Sequence, residues 1–178
     1  MNREIFRQTP MTNTSTTTTT LTAPTTGTTD EQLVTPNIPA NAQWIQNGIP
    51  VAGGNGHGNG TNQLAWPRGL FVDDDQTIFI ADRENHRIVQ WKMGDKYGQV
   101  VAGGNGIGNR LDQLNGPTDV LVDKKSDSLI ICDTGRVVRW SRQSGTTHGE
   151  ILIDDINCYG LAMDDDGYLY ASDTDKDE

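Results

Sequence analysis

From residue 66 onward the apolar side chains fall in short β-branched or alternating runs, each bounded by Gly, Pro, Asp or Asn. The first set is Gly69-Leu70-Phe71-Val72, Thr77-Ile78-Phe79-Ile80-Ala81, Arg87-Ile88-Val89-Gln90-Trp91 and Gln99-Val100-Val101-Ala102. Runs of this length between turn residues predict strands. No segment carries a 3.6-residue period with caps, so no helix is expected.

The pattern then recurs. VAGGNGHGNGTNQLAWP at 51–67 lies over VAGGNGIGNRLDQLNGP at 101–117 at an offset of 50 residues without a gap. The stretches near 66–91, 116–140 and 159–178 follow as three copies, the third stopping in mid-unit. A fixed period of this length marks an array in which each unit needs its neighbour to bury its face. Four short antiparallel strands per unit predict an all-β fold of propeller blades.

The copies share Pro-x-Gly-aliphatic-x-Val-Asp, a small turn, a strand ending in Ala, Ser or Cys before Asp, and then Asn-His-Arg-Ile-x-x-Trp. This resembles the NHL repeat. The first copy matches at Pro67, Gly69, Val72, Asp73, Ile78, Ala81, Asp82, Asn85, His86, Arg87, Ile88 and Trp91. The second matches at Pro117, Val122, Asp123, Cys132, Asp133, Arg136, Val137 and Trp140, but Asp119 replaces the glycine and the Asn-His pair is missing. The third supplies Gly160, Met163, Asp164, Gly167, Leu169, Ser172 and Asp173. The resemblance implies a β-propeller, usually of six blades, with Trp44 and Val51 in the outer strands of a preceding blade. Residues 41–178 span fewer than three periods. The expectation is therefore a partial ring of about 2.5 to 3 blades, a fragment of a longer propeller whose remaining blades lie beyond Glu178, because an open arc leaves strand edges unpaired.

Residues 1–40 read differently. Twelve of the eighteen positions in 12–29 are threonine, with Leu21 and Ala23 as the apolar side chains. No buried face can be built from that, so 1–40 is expected to be a disordered Thr-rich tail or linker, or an O-glycosylated stalk in a secreted protein. Sequons at Asn13 and Asn59 add support for an extracellular setting. The opening MNREIFRQTP lacks the apolar stretch of a secretory leader, and no run is long enough to cross a membrane as a helix. The sequence assigns no compartment.

The net charge is −10, and residues 150–178 hold ten acids against Lys176 alone, whereas 41–149 are balanced. This balance disfavours a nucleic-acid surface. Arg136, Arg139 and Arg142 form a small basic group, expected on a solvated strand face.

Catalytic chemistry finds little footing. The Asp triplets at 73–75 and 164–166 read as turns, since neither is followed by a calcium loop's distal Glu. GGNGHGNG and GGNGIGNR open no helix and lack Gly-Lys-Ser/Thr, so they read as flexible connections between blades, with Leu64 and Leu114 tucked beneath. His57, His86 and His148 are scattered, and no serine sits in a nucleophile elbow. Cys132 and Cys158 are too few for a disulfide framework and are expected as small buried blade residues rather than a bridged pair.

No catalytic residue, cofactor or metal is expected. The loops that form the rim, with Asn59, Thr61, Arg110 and Asp112, are the candidate surface for a protein or glycan partner. The repeat positions Pro67, Gly69, Asp73, Asp82, Asn85, His86, Arg87, Trp91, Pro117, Asp123, Asp133, Arg136, Trp140, Gly160, Asp164 and Asp173 are expected to be structural. Two alternatives accompany this reading from the resemblance. One is part of a propeller enzyme of the amidating-lyase or lactonase type, its metal ligands in further blades. The other is an RNA-binding NHL platform.

Overall fold

The computed structural model describes residues 48–175, together with the backbone alone of three short strands nearer the N-terminus. These are β1 (Glu4–Arg7), β2 (Pro10–Met11) and β3 (Gln43–Trp44). The Thr-rich tract and the Asn13 sequon lie outside the described residues. Two compact units are distinguished, Phe6–Ile49 and Pro50–Glu178 with Met1–Ile5. In the first, β2 and β3 pair antiparallel, Pro10 opposite Trp44. β1 pairs with β4 (Ile49–Gly53), which carries Val51.

The second unit holds the repeats, and no α-helix occurs among the described residues. The first blade is the antiparallel sheet β5 (Pro67–Val72), β6 (Ile78–Asp82), β7 (Arg87–Trp91) and β8 (Gln99–Gly103), in that order. The second repeats it with β9 (Asp119–Asp123), β10 (Ser128–Asp133), β11 (Arg136–Ser141) and β12 (Glu150–Asp154). β13 (Cys158–Met163) and β14 (Leu169–Asp173) make a third hairpin. In both complete blades the ladder between the third and fourth strands slips at one repeat position, Ile88/Val89 and Val137/Val138. The bulge is thus part of the unit.

Burial explains why these strands read as apolar runs. Every residue of β10 is buried. Alternate side chains leave a strand on opposite faces. Leu129 and Ile131 accordingly join Phe79, Ala81 and Ile88 between the first and second blades, while Ile130 and Cys132 join Leu161, Met163 and Leu169 between the second and third. Trp91 packs with Leu64 and Ala52. Trp140 lies in one cluster with Leu114 and Ala102, the matching residues of the next copy. Gly98 and Gly149 complete the arrangement, because a Cβ at either would collide with the neighbouring Val and Trp side chains of the third strand. The copies differ at the indole nitrogen. Trp91 Nε1 donates to the Asp95 carbonyl at 2.8 Å, whereas Trp140 Nε1 is buried without an acceptor among the described residues.

Two expectations are corrected here. Cys132 and Cys158 are buried, but they form a disulfide, Cα to Cα 5.4 Å, across 26 residues. Packing of adjacent blades brings the end of β10 onto the start of β13, a neighbourhood that spacing along the chain does not reveal. The basic group also dissolves. Arg136 is buried against Asp133, Arg139 pairs with Glu150 at 2.6 Å, and Arg142 pairs with Asp73 at 3.1 Å while lying over the Phe79 ring.

The Asp turns are built as the sequence implies. Asp73 N–H donates to the Thr77 carbonyl and Gln76 N–H to that of Asp73, and Asp164, Tyr168 and Gly167 repeat the pair. The residue that must take positive φ is Gln76 (65°), Asp127 (48°) or Gly167 (91°) in the three copies. The Ser126 hydroxyl is the main cause that holds the Asp123 carboxyl below its ordinary value, and the Tyr168 N–H does the same for Asp164. A folded-state value below the unfolded one means stability that is present above the ordinary carboxylate range and lost as pH falls through the folded value.

Two outcomes follow. Reducing the disulfide, or replacing both cysteines by serine, is expected to lower stability by about 2–4 kcal/mol in urea unfolding; equal midpoints with and without reductant would contradict the bridge. Ser126→Ala is expected to move the Asp123 titration upward when followed by carboxyl NMR, while Asp164 stays where it is.

Candidate functional site

The rim loops run between blades, from the end of one fourth strand to the start of the next first strand. Their glycines suit an irregular path: Gly56 and Gly106 both take φ of 83°. Such a backbone leaves many carbonyls without strand partners, and those near the core must be satisfied. The solution is a buried ion pair in each blade.

In the first blade Asp82, at the end of β6, is fully buried. One carboxylate oxygen accepts the Ala65 N–H at 2.6 Å, and the other accepts Asn85 Nδ2 and Arg87 Nε, each at 2.7 Å. The rest of the Arg87 guanidinium turns toward the loop. Nη1 donates to the Asn59 carbonyl at 2.8 Å, and Nη2 to those of Gly60 and Gln63 at 3.0 and 3.1 Å. The second blade repeats the ion pair and its loop bonds, without a counterpart of the Asn85 contact. Asp133 accepts the Asn115 N–H at 2.7 Å and Arg136 Nε at 3.1 Å, and Arg136 donates to the carbonyls of Asn109, Gln113 and Arg110. Only a planar, five-donor group can serve a carboxylate and three carbonyls together. Burial pushes the Asp133 carboxyl upward, against the Asn115 N–H and Arg136, which pull it down. In the third copy Asp173 accepts the Asn157 N–H at 3.3 Å.

Further bonds fix the loops internally. Gln63 Nε2 donates to the Asn55 carbonyl and Asn55 Nδ2 to that of Asn62; Gln113, Asn105 and Asp112 form the same pair of bonds one repeat later. Gly58 and Gly108 lie against those glutamine side chains, which a Cβ would push aside. Gly98 N–H donates to the Thr61 carbonyl and Gly149 N–H to that of Leu111, both at 2.7 Å. The loops are therefore tied down along their length, not the loose connections that glycine content implies. Leu64 and Leu114 are buried beneath them as expected.

Among the other repeat positions, Pro67 and Gly69 open the first blade on β5 and Pro117 is buried ahead of β9. Asn85 Nδ2 also donates to the Gly58 carbonyl. His86 takes φ of 52° in the β6–β7 hairpin, its Nδ1 accepting the Gly116 N–H and its carbonyl the Gly104 N–H, so it joins the first blade to the second loop. Asp119, which departs from the pattern, explains its own presence. Its carboxylate accepts the Leu161 N–H at 2.9 Å, linking β9 to β13 beside Gly160, and Gly69 leaves it room on the other side.

The candidate partner residues divide between the two loops. Asn59, Thr61 and Arg110 are exposed and Asp112 is half-buried. Arg110 forks onto Asp112 at 3.0 and 2.9 Å. Equivalent positions differ in character: His57, Gly60 and Thr61 in the first loop become Ile107, Arg110 and Leu111 in the second. His57 is occupied by Glu84 at 2.9 Å. Ile107 is 62% and Leu111 45% exposed. Asn105, Arg110, Leu111 and Asp112 line a shallow depression with Thr147 and His148. Sequence reasoning named Arg110 and Asp112 but passed over Ile107 and Leu111, whose signal is the replacement of polar by apolar residues between copies.

Among the described residues no three His, Cys, Asp or Glu side chains converge as metal ligands do, and no helix is long and apolar enough to cross a membrane. The Asp73–Asp75 carboxylates are engaged by the Asp74 and Thr77 N–H groups, Lys124 and Arg142.

Removing one member of a buried pair leaves the other uncompensated, so Arg87→Ala and Arg136→Ala are each expected to cost about 3–5 kcal/mol. Lysine in either position should recover only part of that loss, since it cannot fork. Chemical denaturation of the four variants checks this, and full rescue by lysine would contradict the arrangement.

The NHL repeat family matches residues 64–91, from the buried Leu64 through the ion pair to Trp91. Comparison with curated proteins gives no match. The chain thus carries an NHL repeat at residues 64–91, and the matched copy spans the first three strands of the first of two four-stranded blades.

Proposed function

We propose that this chain is a non-catalytic propeller module whose rim binds a protein partner, principally through the loop 103–113. The observation that carries the reading is the exposure of Ile107 and Leu111 on a loop whose backbone is fixed by Arg136, Gln113 and Asn105. A large aliphatic side chain held in water on a rigid loop gains by transfer to an apolar surface, and little conformational entropy of the backbone remains to be lost. The Arg110–Asp112 fork beside them offers oriented donors and acceptors at the edge of the patch, the usual complement to an apolar centre. The first loop, with His57, Gly60 and Thr61 in these positions, lacks that apolar character.

The test is a photo-crosslinking residue at position 107, compared with one at Lys124 in the β9–β10 turn. The expected outcome is a discrete protein adduct from position 107 that falls at least tenfold in Leu111→Asp and is missing from position 124. Equal labelling from both positions would overturn the assignment of the loop.

A further inference from the structure

We propose that Asn59 is an N-glycosylation site, and that the folded chain belongs to an oxidising, secretory compartment. Two independent observations converge. The first is the Cys132–Cys158 bridge, which uses both cysteines of the chain and is buried between blades. Such structural disulfides form and persist where the environment is oxidising. The second is the surroundings of the Asn59-Gly60-Thr61 triplet. Asn59 and Thr61 are exposed, and the Asn59 side-chain amide makes no hydrogen bond among the described residues. The fold holds this segment by its backbone alone: the carbonyls of Asn59 and Gly60 accept from Arg87 and that of Thr61 from Gly98. Modification of the side chain therefore removes no hydrogen bond seen among the described residues.

The repeat supplies an internal comparison. The second loop places Asn109 at the equivalent point, its carbonyl bound to Arg136 at 2.8 Å, but Leu111 replaces the threonine that the acceptor triplet requires. The same loop geometry thus occurs once with the sequon and once without it. In the reaction, Asn59 Nδ2 would displace a lipid-linked diphosphate from C1 of an oligosaccharide donor. The N–C1 bond forms as the C1–O bond breaks, the diphosphate departs with the lipid, and the proton that the amide gives up is taken by the departing diphosphate. A polar, hydrated glycan then stands on the loop that has His57 and Thr61 where the other has the exposed Ile107 and Leu111.

The experiment uses the full chain carrying Asn13→Gln, so that the other sequon is silent, directed into the lumen of the endoplasmic reticulum of a mammalian cell. Expected are a mobility shift that peptide N-glycosidase removes, conversion of residue 59 to aspartate with uptake of solvent oxygen-18, and loss of both in Asn59→Gln and in Thr61→Ala. Leu111→Thr is expected to add a second glycan at Asn109. A lumenal chain in which Cys132–Cys158 forms while Asn59 remains unmodified would overturn the site, and a lumenal chain whose cysteines stay reduced would overturn the compartment.

Discussion

The fold turns on a buried carboxylate that holds an arginine. Asp82 and Asp133 each end the second strand of a blade, and the guanidinium each retains gathers three carbonyls of the preceding loop. Taken alone, a buried ion pair is weak evidence of stability, since desolvation opposes the Coulomb attraction. Here the pair has a second duty. The loop backbone would otherwise bury carbonyl groups without partners, and the cost of those orphans is what the pair offsets. Once the loop is fixed, Leu64 or Leu114 is fixed beneath it, and with it the packing of the tryptophan on the third strand.

Much of this was legible in the sequence because the unit recurs. Strand positions, the turns at Asp73, Asp123 and Asp164, and the burial of Trp91 and Trp140 all follow from aligning one copy on the next. What stayed hidden has a common cause, namely contact between side chains distant along the chain. Asp82 and Arg87 were recognisable as repeat residues, yet nothing in their spacing announces that the arginine reaches back 28 residues to Asn59. Arg136 looked like one of three surface cations, and it is buried because its blade-mate Asp133 and the loop carbonyls form a polar cage around it. Cys132 and Cys158 were legible as small and buried, but not as bonded, since blade packing alone sets their separation.

Differences between copies are as informative as identities. A scaffold that repeats its main-chain bonds at matched positions lets side chains vary without disturbing the fold. His57 and Thr61 against Ile107 and Leu111 is the clearest case, and the Asp119 substitution is another, converting a glycine site into a link between β9 and β13. Variation on a repeated frame separates what the frame needs from what the surface does.

The placement of the disulfide has a mechanical meaning. It joins the second blade to the strand that begins the third, so a pull along the chain passes from β10 to β13 through a covalent link and bypasses the noncovalent interface between them. The stretch 133–157 that it encloses, the last two strands of the second blade included, is shielded from tension. About 90 Å of contour length is thereby withheld for as long as the bond is oxidised. A single thiol–disulfide exchange would release that length at once, so the extensibility of the chain is set by redox state and not only by blade packing.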